Sequence, residues 1–597
     1  MCGIAGVFLT QQTPSQQQLE KAITALQHRG PDGHGIFVKD AVGLVHTRLS
    51  IIDLEGGAQP LHSLNQQLHV VANGEIYNYE RVKQAHPDQQ SATQSDCEAI
   101  LTCFQHHGAK GFAKLEGMFA FALYDDATSC LYLGRDRLGI KPLYYAETST
   151  GVVFSSEIKG ILPLLDKQAD INAEALSSFL NYQFNTGRDT IFHNVKRVLP
   201  GEYLIINNEG TITHHQYWSA TCVAPRDIEL DEAMEEFESL FDSVMQDHLK
   251  SDVPLGLFLS GGIDSSIMLA KLSEIYPEPL RTYSLGYANA EDELSQANTL
   301  AAQFKTEHTP LTVSRDDLFN RIVHSIWASD DLMRDYACLP MAALSDRASQ
   351  DLKVVFSGEG GDEAFAGYRR YAPSLENTLK SWVFGSGGIK TRGQWSSRKY
   401  AKQALGSTLK DTHPRQAFKD AWNACPPSWS MMQKKQYVDL TTSLPDNLFV
   451  KSDRISMAFG LESRVPFSDH RLVEFGLSLP NSIKYPERQG KYILRKWAEK
   501  VLPKEHLAMP KRGFYVPVKS WLSGNFLEQL TQKLLQNRAI QEWFDIEQCA
   551  KLFNAHKAGK NMSREIWGLM QFAIWHKLFV EQPQTIPTKN ENPLDWI

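Results

Sequence analysis

Pro254-Leu255-Gly256-Leu257-Phe258-Leu259-Ser260-Gly261-Gly262-Ile263-Asp264-Ser265-Ser266 lies near the middle of the 597-residue chain, and the reading of the whole turns on it. The apolar run from Val253 to Leu259 predicts a buried strand, and apolar residues at helical spacing from Ile263 to Leu272 predict a helix. A Ser-Gly-Gly turn joins them. Without Cβ atoms the turn lets backbone N–H groups close on an anion, at the positive end of the helix that follows. That is a phosphate cradle. No Gly-Lys-Ser/Thr completes a Walker A loop; Asp264 supplies a carboxylate instead, which beside a phosphate fits a bound Mg²⁺. A tight strand-to-helix turn with no ligand would share this local pattern, so the rest of the chain has to decide.

Downstream, strands at 281–286, 309–313 and 353–356 alternate with helices such as 293–304, which predicts a mainly parallel sheet with right-handed crossovers. The strand at 353–356 runs into a second glycine-rich turn, Ser357-Gly358-Glu359-Gly360-Gly361-Asp362-Glu363. Ligands of such sheets bind beyond the carboxyl ends of the strands, so both turns can face one crevice.

The chain is too long for one core and predicts two or more domains. Hydrophobic content of 42% and charged content of 22% are those of a globular protein, and no run of about 18 apolar residues predicts a membrane span. A net charge of −8 with no basic stripe argues against nucleic-acid binding. The eight cysteines include no Cys-x-x-Cys pair, which excludes an evident zinc or disulfide framework. The start, Met1 to Phe8, is apolar but lacks a basic n-region and reads as the first strand of a cytoplasmic protein.

Cys2 is the second chemical landmark. Removal of Met1 would give it a free α-amino group with an unperturbed pKa of about 7.7 to 8.0, able to act as base for its own thiol. Polar islands follow in strand-and-turn context: His28-Arg29-Gly30-Pro31-Asp32-Gly33, Arg48 before Leu49 to Asp53, Asn73-Gly74-Glu75 after an apolar strand, and Ser95-Asp96-Cys97-Glu98 opening a helix with Ser95 as its expected cap.

This set resembles the class II glutamine amidotransferase domain, an N-terminal-nucleophile fold of stacked antiparallel sheets between helices (αββα). The resemblance implies Cys2 as nucleophile toward the amide of glutamine, with Asn73 and the N–H of Gly74 holding the oxyanion. It further implies Arg48 as clamp for the α-carboxylate, Glu75 and Asp96 as receivers of the α-ammonium, and Ile52 as a glutamine-binding position. Residues 134–145 and 154–159 also match and are assigned to structure and domain contact.

The middle of the chain is similar to the PP-loop ATP-binding domain of the asparagine synthetase family, which cleaves ATP between α- and β-phosphates. Carried over by position, Ser260, Gly261, Gly262, Asp264 and Ser265 would hold pyrophosphate, and Asp264 and Asp362 would share Mg²⁺. Leu259, Leu285, Ser357 and Gly358 would line adenine and ribose. Glu359 is the candidate for forming the acyl-adenylate or taking a proton from ammonia, and Lys511 for stabilising charge on adenylate and pyrophosphate. Lys491 is left between a site role and surface solvation. The segment from Asp453 to Asp469 resembles the synthetase signature, with Ser468 where leucine is usual.

The expected layout is a glutaminase domain at 2–217, a linker at 218–229, an α/β ATP-binding domain with a helical C-terminal part at 230–580, and a loose Pro- and Asn-rich tail at 581–597. The implied reaction moves ammonia from glutamine to the side-chain carboxylate of aspartate through an acyl-AMP, with ATP and Mg²⁺. The same chemistry on a surface-polysaccharide uronic acid or a peptide acid stays open, as does a homodimer. Asp330-Asp331-Leu332, where Asp-Glu-Pro is frequent, and the patternless 373–432 are expected to shape acceptor access. A degenerate binding protein is disfavoured by the intact Cys2, Asp264, Asp362 and Lys511.

Overall fold

A computed structural model describes residues 1–10, 12–287, 293–372, 409, 412–508 and 516–597. Its first part is a sandwich of two six-stranded sheets, each built entirely of antiparallel pairs. One sheet has β1 (Gly3–Leu9) near its middle, beside β3 (Val42–Arg48) and β9 (Gly151–Ser155). The facing sheet contains β5 (Leu68–Ile76) and β6 (Gly117–Asp125). β1, β5 and β6 are almost wholly buried because both of their faces are covered, so their sequences read as apolar runs and not as alternation. The helix α1 (Gln16–Leu26) packs on the first sheet through Leu19, Ala22, Ile23 and Leu26. On the other side, α2 (Tyr79–Ala85) and α3 (Glu98–His107) flank the second sheet. This is the αββα arrangement.

Ser95 does not cap α3. The helix begins at Glu98, whose carboxylate turns back to accept from the N–H groups of Ala92 and Thr93, while Ser95 offers only its carbonyl to Glu98.

The second part holds a five-stranded, all-parallel sheet in the order β15-β14-β13-β16-β17, where β13 is Leu255–Phe258, β14 Arg281–Tyr287, β15 Glu307–Val313, β16 Val354–Phe356 and β17 Glu462–Arg464. Helices at Leu230–His248, Ile263–Ile275 and Cys338–Ala348 cover it, and a helical region closes the chain around the apolar helix Ser563–His576. Among the described residues no helix is long and apolar enough to cross a membrane.

The tail expected to be loose is packed. Leu594 is buried, Glu591 donates its N–H to Asn320 O at 2.8 Å, Lys589 pairs with Asp346, and Trp596 lies under Lys577. Its few apolar residues found a hydrophobic groove, which composition alone does not reveal. Within 412–432, Gln416–Asn423 is helical and Ser430 opens the next helix with a capping box; 373–408, 410 and 411 lie outside the described residues.

Charged residues buried between the two parts hold them together. Arg29 pairs across the interface with Asp453 (3.0 Å), Lys141 with Asp453 (3.3 Å) and Lys159 with Asp330 (3.3 Å), while Glu157 steadies Arg29 from within the first part (2.7 Å) and Arg454 steadies Asp330 from within the second (2.6 Å). Asp331 pairs with Arg197. Asp330 and Asp331 are therefore engaged in domain contact. Removing one member of such a buried pair costs roughly 3–5 kcal/mol, because its partner is left charged and dry.

Candidate active site

Cys2 sits at the entry to β1, 9% exposed, with its N–H donated to Asn73 Oδ1 at 3.0 Å and its carbonyl accepting from Arg29 Nε at 3.0 Å. Asn73 is fully buried in β5, and its Nδ2 has no hydrogen-bond partner among the described residues. A buried amide donor without an acceptor is costly unless a ligand completes it. Beside the thiol, that donor is suitably placed for an oxyanion. Gly74, next in the strand, has φ +146°, and a Cβ there would lie 2.0 Å from Met118 O. Only glycine fits that close pairing of β5 with β6.

Asp96 joins this group by accepting from Ile76 N at 2.7 Å, and burial pushes its carboxyl up to about 6. Arg48 spends its fork on the carbonyls of Leu54, Asp53 and Ile52, so it holds the turn that follows β3. Glu75 is close enough to Asp96 for the two carboxylates to act on one another, yet it has a partner of its own. Its carboxylate faces Arg464 of β17 at 3.4 Å, and burial together with nearby Glu462 raises it well above the usual range. Glu462 resists burial and stays ionised at about 2, held by the Met1 ammonium (3.2 Å) and Arg464 (2.7 Å). The thiol of Cys2 is itself pushed up by burial, against the pull of that ammonium.

Across the interface, β13 and β16 are adjacent and in register from Leu255↔Val354 to Leu257↔Phe356, so both glycine turns leave the same end of the sheet. A Cβ on Gly361 would meet Asp264 Oδ1 at 2.8 Å, which shows how closely the second turn approaches the first. The Ser260 turn is tied to itself: Ser260 Oγ lies 3.1 Å from Ser265 Oγ, which also donates to Gly262 O. Leu285 is buried in β14. The N–H groups of Leu259 and Ser357 are spent on Tyr283 O and Arg464 O, so these two residues offer a nucleotide only carbonyls and side chains.

The residue least legible in the sequence is Lys491. It is 3% exposed, and its Nζ reaches Asp264 Oδ2 at 2.5 Å and Asp362 Oδ1 at 3.0 Å. Burial would lower its pKa, but the two carboxylates outweigh that and raise it. Surface solvation is excluded for it. Lys511 lies outside the described residues. Two carboxylates converging on one cation form a hard-oxygen donor set that fits Mg²⁺, which is characteristically held by one or two carboxylates plus phosphate oxygens.

Glu359 pairs with Lys451 at 2.8 Å, and its carbonyl accepts from Ser468 Oγ at 2.9 Å. The serine standing where leucine is usual is thus a hydrogen bond onto the glycine turn. Lys451 and Asp453 share one π-helical stretch, Val450–Ile455, so one short element contacts Glu359 on one side and Arg29, hence the Cys2 carbonyl, on the other. Two further polar residues have no role that the sequence alone indicates: Ser266, which donates to Gly262 O, and His506, 2.9 Å from Ser266 Oγ.

Residues 236–577 match the family model described as asparagine synthase, and residues 1–218 match the glutamine amidotransferase domain. The chain is 32% identical to glutamine-hydrolyzing asparagine synthetase 1 of Bacillus subtilis, covering 98% of this chain and 97% of that one. It is 29% identical to asparagine synthetase 3 of the same organism (86% and 87% covered) and 28% identical to amidase chry2 of Gibberella zeae (91% and 93%).

Proposed function

This chain belongs to the asparagine synthase family, and from that premise we propose that it makes asparagine from aspartate, glutamine and ATP, releasing glutamate, AMP and pyrophosphate. After Met1 is removed, the α-amine of Cys2 takes the thiol proton and the sulfur attacks the amide carbon of glutamine. Asn73 Nδ2 and the Gly74 N–H receive the developing oxyanion, Asp96 the α-ammonium, and Arg48 the α-carboxylate, for which its fork exchanges the carbonyls of residues 52–54. Collapse releases ammonia and leaves a thioester, which water hydrolyses to glutamate.

In the second site ATP lies over the glycine turns. Asp264 and Asp362 would hold Mg²⁺, which supplies neutralisation of phosphate charge when bound. Lys491 stabilises charge on the leaving pyrophosphate as the acceptor carboxylate bonds to the α-phosphorus. Ammonia then attacks the acyl carbon, AMP leaves, and Glu359 accepts the surplus proton. Free ammonia would be protonated in bulk water, so a path inside the interface is required. A cytoplasmic setting and small-molecule partners follow from this chemistry.

The observation that carries this reading is the convergence of two glycine turns and their carboxylates on one buried lysine, across an interface from Cys2. A panel of acceptors with purified protein, read as AMP release, tests it: aspartate is expected to support turnover, and an inert aspartate would overturn it. A second reading keeps the chemistry and changes the acceptor to a uronic or peptide acid. Similarity to a protein named an amidase favours keeping those acids in the panel.

A further inference from the structure

Away from both sites, three imidazoles and a carboxylate gather where α2 and α3 end. His86 caps the C-terminus of α2, and His106 and His107 are the last residues of α3. The rings of His86 and His106 stack at 3.9 Å and 17°, with His107 edge-on to His86 at 5.4 Å. One nitrogen from each of His86 and His106 and an oxygen of Asp88 lie within 4.8 Å of one another. Among the described residues these four side chains make ring contacts with one another but no hydrogen bond or ion pair, so their nitrogen and oxygen donors are uncommitted.

We propose that His86, Asp88 and His106 form a binding site for a first-row transition-metal dication such as Zn²⁺, which staples the end of α2 to the end of α3. Metal–ligand bonds of about 2.0–2.2 Å in a tetrahedron set donor atoms about 3.4 Å apart with the metal in the plane of each ring, so closing the site needs the stacked rings of His86 and His106 to rotate open, a rotamer change available to side chains at the surface, with water as the fourth ligand. Two imidazoles and one carboxylate select zinc, nickel or copper over Mg²⁺, which prefers oxygen alone, so this site differs in kind from the Asp264–Asp362 pair. The carbonyl end of α3 also favours a cation there.

The site would act on the segment it spans. Residues 87–97 run from His86 to Asp96, whose carboxylate is anchored on Ile76 at the glutamine pocket, and Glu98 holds the turn at Ala92 and Thr93. A metal fixing the far end of that segment restrains it at both ends.

The test is equilibrium dialysis of the full-length protein against Zn²⁺ with excess Mg²⁺, beside the His86→Gln/His106→Gln double variant and Asp88→Asn. The double variant is expected to bind one equivalent less and Asp88→Asn to bind more weakly, with ammonia-driven product formation unchanged as proof of folding. Hydrogen exchange across 87–97 should slow with Zn²⁺ in the wild type only. Equal zinc stoichiometry in wild type and double variant, or exchange indifferent to zinc, would overturn the proposal.

Discussion

The pocket around Cys2 and the crevice around Lys491 handle charge in opposite ways. In the first, the polar groups are already held by the backbone: Asn73 on the Cys2 N–H, Asp96 on Ile76 N, and one donor, Asn73 Nδ2, left over for the substrate. In the second, the groups hold one another: Lys491 between Asp264 and Asp362, Lys451 on Glu359, Ser260 on Ser265. Apart from Arg48, whose fork must leave backbone carbonyls, the first site is pre-organised, whereas the second must exchange internal partners for ligand throughout. That difference fits the tasks, since a small neutral amide enters one and a highly charged nucleotide with its metal enters the other.

Several substitutions sharpen or break this contrast. The largest effect is expected from Lys491→Met, which leaves Asp264 and Asp362 facing one another; AMP release should fall on the order of 10³-fold with either nitrogen source. Retained activity would mean that the lysine only fills the site in the absence of ligand. Asn73→Ala should lower glutamine-driven kcat by about 10²–10³-fold and spare the ammonia-driven reaction, as measured in parallel assays. If both fell together, the two pockets would not be chemically separate.

A smaller effect is expected from Asp453→Asn, which weakens the hold of the Val450–Ile455 stretch on Arg29. Here the readout is glutamate formed per AMP, and hydrolysis should outrun synthesis by roughly fivefold or more if the stretch couples the sites. Unchanged stoichiometry would reduce Asp453 to a structural role.

The smallest effect concerns stability. Burial raises Asp96 to about 6 from an ordinary 3.8, so the folded state binds a proton more readily than the unfolded chain between those values. The ionised carboxylate therefore costs stability at all pH values above about 6, and the cost fades as pH falls toward 4. Asp96→Asn should melt higher than wild type at pH 8 and at the same temperature at pH 4. A lower melting temperature at pH 8 would mean that the carboxylate's contact with Ile76 outweighs its burial.

Much of this was legible in the chain. Both glycine turns, the apolar strands before them and the nucleophile beside a strand leave local patterns, because turn geometry and strand burial are decided by neighbouring residues. What stayed hidden depends on distance along the chain. Lys491 lies 227 positions from Asp264, and nothing around it distinguishes it from a surface lysine until the fold brings them together. The same holds for Arg464, which looks like part of a signature strand and turns out to face Glu75 across the interface. The partners of Asp330 and Asp331, which are Arg454, Lys159 and Arg197, likewise come from elsewhere in sequence. The tail misled for the opposite reason: its composition is that of a loose segment, yet Leu594 and Trp596 suffice to dock it.

The division of labour between a sulfur that frees ammonia and a crevice that adenylates an acid is tested most directly by Cys2→Ala, assayed for AMP and amide product with glutamine and, separately, with ammonium salt. Loss of the glutamine reaction with the ammonium reaction intact is the expected result. Loss of both, or survival of the glutamine reaction, would contradict it.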